Sequence, residues 1–370
     1  MNPVRKARDL GQAIWLDFIR RGMFSSGEFR RYLDIGITGV TSNPTIFEKA
    51  IGGSADYDEA LRQLAKRDMS TMEVYEALAI EDIRTAADML APIYRQTGGA
   101  DGYVSLEVNP RLAFDAEGTI AEAKRLFGAV DRPNLMIKVP ATPEGIPAIR
   151  GLIGEGVNVN ATLIFSLDLY TGVREAYLHG LEDLMHKGGD LRRVGSVASF
   201  FVSRVDTAVD ARLQTLIDKG QSDLRDLLGK AAVANAKLAY QAFKETFSGP
   251  RFAALRARGA RVQRPLWAST STKNPAYSDV LYVEPLIGPD TVNTLPPETI
   301  RAFLDHGRAE AAIEEGVAEA RQTMVRLAEL GIDMGAITSK LLTEGVKAFT
   351  DSFEKLLAGI ENKRRAIAAR

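Results

Sequence analysis

Short strand-like runs recur along this chain, and most of them end in a polar side chain. Eight are read: Ala13–Asp17, Gly39–Asn43, Tyr103–Val108, Leu135–Val139, Val157–Thr162, Val194–Ser199, Pro265–Ser269 and Asp279–Val283. Side chains alternate across a strand. From Val104 to Asn109 the apolar residues take one face, and Ser105, Glu107 and Asn109 take the other. Val157–Thr162 splits as cleanly, with Asn158, Asn160 and Thr162 on one face. Amphipathic segments lie between the runs, at Ala121–Phe127, Pro147–Ile153, Asp168–Leu184 and Val205–Ile217. Strand and helix in alternation argue for parallel pairing. A parallel sheet is normally covered on both faces, so water on a polar face does not explain a polar face in most strands. A (β/α)8 TIM barrel does. Its apolar strand face packs under helices, the other lines the lumen, and polar groups at the carboxyl ends of the strands converge on one site. An open doubly wound sheet is the alternative, and periodicity does not separate the two.

The spacing of the runs is uneven. The gaps from Asn43 to Glu107 and from Ser199 to Ser269 are too long for structureless loops in a compact domain. Inserted helices are therefore expected at Ser54–Ala65, Met72–Ile93 and Ser222–Phe247. Pro296–Asp305, Ala309–Leu330 and Leu341–Arg370 read as additional helices at the C-terminus. The last of these ends in Lys363, Arg364, Arg365 and Arg370, which suits a helix C-terminus. No fixed-period repeat and no low-complexity linker interrupts the chain, so residues 1–370 read as one α/β domain.

Composition removes several classes of function. A net charge of -1 gives no field that would gather nucleic acid or an anionic membrane. There is no cysteine, which rules out disulfides, thiolate catalysis and thiolate-bound zinc, and makes a reducing cytoplasm the expected location. Behind Arg5, Lys6 and Arg8 the apolar stretch Ala13–Leu16 is cut by Asp17, too short for a signal-peptide core. His179, His186 and His306 form no metal-ligand motif. No phosphate-binding glycine loop follows a strand. Arg251, Arg256, Arg258, Arg261 and Arg264 cluster without interleaved aromatic residues, and a solvated helix face accounts for them better than nucleic acid.

One of the runs, Asn134–Pro140, carries Lys138 among Leu135, Met136, Ile137 and Val139. Burial disfavours a charged amine. The free amine that burial favours is what Schiff-base chemistry on a carbonyl needs. The plainer reading is a lysine whose stem is buried and whose head snorkels to solvent. The polar ends of the other runs turn the balance toward chemistry, because Asp17, Asn43, Glu107, Asn160, Thr162, Ser199 and Ser269 would meet Lys138 at one end of the sheet.

At these residues the chain resembles the transaldolases. Asn134–Ala141 with Thr142–Ile146 is similar to the family's Schiff-base segment. Thr38–Phe47, Val157–Ser166 and Val194–Arg204 match its other signature strands, and Leu266–Pro275 matches the form found in one bacterial branch. The resemblance runs from about Gly11 to the C-terminus. It implies a single (β/α)8 barrel, permuted relative to other class I aldolases so that the lysine falls on the fourth strand. It implies Lys138 as Schiff-base lysine, Asp17 and Glu107 as acid/base groups, and Thr41, Asn43, Asn160, Thr162 and Ser199 as substrate-binding residues. Arg204 would bind the substrate phosphate, with Ser269 beside it. Many transaldolases carry an arginine two positions after that serine. Here the position holds Ser271, and Lys273 is the nearest cation.

The implied reaction belongs to the non-oxidative pentose phosphate pathway. A dihydroxyacetone unit passes from sedoheptulose 7-phosphate to glyceraldehyde 3-phosphate, giving erythrose 4-phosphate and fructose 6-phosphate. Its partners would be sugar phosphates, with no nucleic acid, membrane, metal or cofactor, on a monomer or homodimer. Two rivals remain at this point: a fructose-6-phosphate aldolase that releases free dihydroxyacetone from the same lysine, and a sugar-phosphate-binding protein on a decayed barrel.

Overall fold

The computed structural model describes residues 2–368. Seven parallel strands form one sheet: β1 Gln12–Leu16, β2 Val104–Glu107, β3 Leu135–Pro140, β4 Val159–Ile164, β5 Ser196–Phe201, β6 Arg264–Ala268 and β7 Thr291–Leu295. Their order is β1-β7-β6-β5-β4-β3-β2, so β1 and β2 are the two edges. The sheet curls until both edges reach the same residue. Val40 forms one parallel bridge to Leu16 in β1 and another to Val104 in β2. The Val40 N–H donates to the Tyr103 carbonyl at 2.9 Å, and the Ser105 N–H donates to the Val40 carbonyl at 3.0 Å. Gly39 makes this approach possible, because a Cβ there would stand 2.5 Å from the Trp15 ring.

The expected strand at Gly39–Asn43 is thus a single bridging residue rather than a strand. It stops early because Asn43 is spent on the next element: its side chain accepts from the Ile46 N–H and caps the helix Pro44–Gly53. The expected strand at Asp279–Val283 is absent. That apolar segment folds into local turns, with the Glu284 N–H donating to the Val280 carbonyl, while Val280 and Val283 are buried. The seventh true strand, β7, lies further on and was not expected. Of the inserted helices, Thr71–Gln96 covers the segment expected at Met72–Ile93, and a capping box of Ser70 and Glu73 opens it. Ser54–Ala65 holds only Asp58–Leu64, and Ser222–Phe247 divides into a 3-10 turn at Ser222–Leu227 and the helix Ala231–Ser248. At the C-terminus, helices span Pro297–His306, Val317–Glu329 and Met334–Ala368, and the final part of the Leu341–Arg370 expectation lies outside the described residues.

Most of the hydrophobic core lies between the outer face of the sheet and the flanking helices. In β3, Leu135, Ile137 and Val139 are fully buried there, as β-rich apolar faces between strands and helices should be. Two of the crossover helices have a side-chain cap at their start. Asp115 caps Ala116–Val130 and Ser166 caps Leu167–His186, each through a side-chain oxygen on an N–H of the first turn. Such caps end the strand-to-helix loops within a few residues, which keeps the carboxyl ends of the strands close together.

Candidate active site

The register of β2, β3 and β4 puts three polar residues in one row. Glu107 of β2 stands opposite Lys138 of β3, and Lys138 stands opposite Asn160 of β4. Because side chains alternate, neighbours in one register row point to the same face. The Lys138 ammonium lies 3.3 Å from Glu107 Oε2, with the two side chains 6% and 2% exposed. That contact has ion-pair distance but not hydrogen-bond alignment, and both Glu107 oxygens lack a donor. Lys138 Nζ donates instead to the Ser42 carbonyl at 3.2 Å. Asn160 is held from both sides: its Nδ2 donates to Ser105 Oγ at 3.1 Å, and Ser199 Oγ donates to its Oδ1 at 2.7 Å.

A cavity of about 370 Å³ opens above this row. It is lined by Lys138, Asp17, Thr41, Asn43, Ser199, Arg204, Ser269, Ser271 and Lys273 among others. Nine of the twelve residues expected at the site therefore share one wall, while Glu107 and Asn160 sit behind it in contact with Lys138 and Ser199. Thr162 is buried opposite Pro140 with an unpartnered hydroxyl and does not reach the cavity. Asp17 follows β1 and keeps part of its surface open to the cavity. Thr41 Oγ1 donates to Asp17 Oδ1 at 2.6 Å, and the same hydroxyl lies 2.6 Å from Thr294 Oγ1. Ser269 adopts φ 54° at the end of β6, a conformation that is strained for a side-chain-bearing residue and common where geometry serves a site. Its hydroxyl lies 3.1 Å from Ser203 Oγ.

Three cations stand at the mouth, Arg204, Lys273 and Lys49. Arg204 lies in the first turn of the helix Ser203–Ile217, and its guanidinium lies 5.5 Å from the Phe201 ring centroid. Burial draws its pKa below the ordinary arginine value, with Glu344 opposing. Lys273 is exposed and donates to Ser271 Oγ at 2.5 Å. The arginine cluster lies elsewhere; Arg258 is exposed, while several of the others have partners within the protein. Arg251 pairs with Glu175 and Glu182 at 2.6 Å each, Arg264 with Asp101 at 3.4 Å, and Arg261 donates to the Gly98 carbonyl.

Comparison with known proteins now bears on this arrangement. The family model described as Transaldolase/Fructose-6-phosphate aldolase matches residues 14–360. The chain belongs to this family. A transaldolase of Thiobacillus denitrificans is 50% identical over 361 residues, covering 97% of this chain and all of the relative. A transaldolase of Saccharopolyspora erythraea is 50% identical over 357 residues, covering 96% of each chain. A protein named transaldolase 2 from Nostoc is 44% identical over 377 residues, covering all of this chain and 99% of the relative. Transaldolase-family membership accounts for the whole length of the chain rather than for one motif in it.

Some of this family member's site was not anticipated. Thr294 lies on the unexpected strand β7, Ser42 contributes only a carbonyl, and Phe349 enters the cavity from the C-terminal helix. Ser105, read from the sequence on the polar face with Glu107 but not as a site residue, holds Asn160 in place. Among the described residues no group of three histidine or carboxylate side chains is gathered as a bound metal ion would require, and no helix is long and apolar enough to cross a membrane.

Burial raises the carboxyl groups of this site. Glu107 is pushed up to about 7, against the opposing charge of Lys138. Asp17 is raised for the same reason, opposed by Lys138 and by the Thr41 hydroxyl. Asp206, buried behind the mouth and accepting from Tyr282 and the Ala232 N–H, is pushed up to about 6. Each group binds its proton more tightly in the folded state than in the unfolded chain. Between the ordinary carboxylate range and neutrality the folded protein thus holds extra protons, and stability falls as pH rises through that window. The urea midpoint should be higher at about pH 5.5 than at about pH 8, and Asp206→Asn should narrow the difference. A midpoint that climbs with pH over this interval would contradict the assignment.

Proposed function

We propose that this protein is a transaldolase that moves a dihydroxyacetone unit between sugar phosphates through a Schiff base on Lys138. The observation that carries the reading is a buried lysine with a buried carboxylate at 3.3 Å, at the base of a polar cavity with a cationic mouth. The Lys138 amine attacks C2 of the ketose phosphate, and loss of water gives an iminium. Glu107 serves the proton transfers of that step, because a carboxyl group titrating near neutrality both gives and takes protons at working pH. Asp17 removes the proton of the C4 hydroxyl, the C3–C4 bond breaks, and the electron pair moves into the iminium to leave an enamine. The aldose phosphate departs. The enamine carbon then attacks an acceptor aldose phosphate, and water releases the new ketose and the free amine. The iminium acts as the electron sink, so the scheme calls for no metal or cofactor. Asn160, fixed by Ser105 and Ser199 beside Lys138, holds the three-carbon unit, with the cavity residues Asn43 and Thr41 around it; Thr162, buried away from the cavity, has no such part in this scheme.

The same reading takes residues 1–370 as one closed (β/α)8 barrel in which the segment around Val40 fills the eighth position. The two bridges from Val40 to opposite edges of the sheet support it. It also takes the enzyme as cytoplasmic, serving the non-oxidative pentose phosphate pathway as a monomer or homodimer, with sedoheptulose 7-phosphate and glyceraldehyde 3-phosphate as the donor and acceptor pair. The deciding assay supplies fructose 6-phosphate with and without erythrose 4-phosphate. Turnover that needs the acceptor is expected, whereas equal turnover without it, with free dihydroxyacetone as product, would make the protein an aldolase.

Arg204 binds the phosphate in this scheme, seconded by Lys273 and Ser271. The phosphate is remote from the bond that breaks, so its contact energy serves to orient the substrate. A guanidinium can grip it with two charge-assisted hydrogen bonds. Arg204→Ala should lower kcat/KM for fructose 6-phosphate by roughly 2–4 kcal/mol, and that for unphosphorylated fructose hardly at all. Lys273→Ala should act in the same direction more weakly. Equal losses on the two sugars would mean that these cations maintain the fold and not the phosphate contact.

A further inference from the structure

The C-terminal helix Met334–Ala368 crosses the carboxyl end of the sheet. It packs on the helix Pro44–Gly53 on one side and on Ser203–Ile217 on the other, and touches β4 between them. Gly345 allows the closest approach: a Cβ there would stand 3.0 Å from the Leu163 side chain at the end of β4. Beyond this crossing the helix is fastened repeatedly. Ser352 Oγ and Thr45 Oγ1 are 2.8 Å apart, Arg111 grips Glu354 through two bonds of 2.7 and 2.8 Å, and Lys363 reaches the Ser54 carbonyl and Asp58. One turn past Gly345 the helix sends Phe349 into the cavity. Its ring is 4% exposed, lines the same wall as Asp17 and Ser199, and has its centroid 5.5 Å from Lys138 Nζ.

We infer that Phe349 shields the lysine-bound three-carbon intermediate from water, so that the C-terminal helix sets how often the unit is transferred and how often it is lost. The inference rests on the Schiff-base reading above. A ring face directed at the nitrogen favours a cation there, which supports the iminium. The same ring leaves no polar atom on that side from which the enamine could take a proton. Loss proceeds in balanced steps. The enamine carbon takes a proton and becomes the iminium of dihydroxyacetone, then water adds to its C2, the C–N bond breaks, and dihydroxyacetone leaves the free amine. The first step needs a proton donor beside the enamine carbon and the second needs water at C2, both next to the lysine nitrogen that the ring covers, and excluding them protects a reactive intermediate. Two polypeptide stretches far apart in sequence thereby share one task, with β3 holding the nucleophile and the final helix covering it.

The test uses the full chain with fructose 6-phosphate and saturating erythrose 4-phosphate. It measures transfer product and free dihydroxyacetone together, and borohydride trapping in every variant shows whether Lys138 still forms the adduct. Phe349→Ala should raise the ratio of release to transfer by roughly tenfold or more while Lys138 remains the trapped residue. Phe349→Leu, which keeps an apolar cover, should restore the ratio to within about twofold of the parent. Glu354→Ala loosens the helix at the Arg111 contact, where neither residue lines the cavity, and should raise the ratio by a few-fold. If Phe349→Ala does not fold, the ratio in Glu354→Ala decides alone. Release and transfer falling in parallel, with trapping intact, would overturn the shielding role and leave the Schiff base standing. No trapping on Lys138 in the unaltered protein would instead remove the reading beneath it.

Discussion

Lys138→Ala should lose transfer activity by several orders of magnitude and should no longer be labelled when borohydride is added with fructose 6-phosphate. The size of the effect follows from the kind of step that is lost. Without an amine at this position no iminium forms beside Glu107 to accept the electron pair of the breaking C3–C4 bond, and the other cavity amines, Lys49 and Lys273, stand at the mouth. Residual turnover would come only from substrate orientation, as it does when other enzymes lose their nucleophile. The geometry leaves the lysine free to react. Its neighbours are one carboxylate at 3.3 Å and the Ser42 carbonyl at 3.2 Å, neither of which locks it in a structural pair of good alignment. Mass analysis of the reduced adduct should place a three-carbon addition on Lys138. A label on Lys49 or Lys273, which also line the cavity, would move the chemistry to the mouth and refute the assignment.

Much of this site is legible in the sequence because strand periodicity is a local signal. Ser105, Glu107, Lys138 and Asn160 stand out where every second residue is apolar, and the register of β2, β3 and β4 then brings them together without further information. β7 escapes the same logic. Three of its five residues, Thr291, Asn293 and Thr294, are polar, yet all five are buried. Most of their polarity is answered through the fold: Thr291 accepts from Gln12 and donates to the nearby Gly288 carbonyl, Asn293 Nδ2 donates to the Tyr282 carbonyl, and Thr294 meets Thr41. A buried strand satisfied by tertiary hydrogen bonds looks like a loop when only neighbours in sequence are weighed. Asp279–Val283 errs the opposite way, since its apolar residues are buried by a turn that carries no ladder. Phe349 gives no local sign at all. On a long amphipathic helix a buried phenylalanine reads as core, and only the crossing at Gly345 puts it over the lysine.

The second large effect is expected at Asp17. Asp17→Asn should cut the cleavage of fructose 6-phosphate by roughly a hundredfold to ten-thousandfold, the range for removing a positioned general base. It should leave the borohydride trapping of dihydroxyacetone itself nearly unchanged. The distinction comes from where the two carboxyl groups stand. Glu107 lies beside the lysine in the sheet and has no open path to the cavity wall, so its influence falls on the nitrogen. Asp17 lines the cavity on the far edge strand, where the Thr41 hydroxyl at 2.6 Å orients one oxygen and leaves the other free to face a substrate hydroxyl. Thr294 in turn contacts the Thr41 hydroxyl, so the aspartate is aimed through a short chain of hydroxyls. Burial raises the Asp17 pKa, which makes the ionised form a stronger base, while the charge of Lys138 keeps it from rising without limit. Asparagine fits the same space and still accepts from Thr41, but it cannot take a proton. Glu107→Ala should give the mirror image, with slow trapping of every ketose. The assay therefore compares trapping rates for dihydroxyacetone and for fructose 6-phosphate in both variants. If Asp17→Asn and Glu107→Ala slow the two ketoses in the same proportion, the carboxylates do not divide the work as their positions indicate.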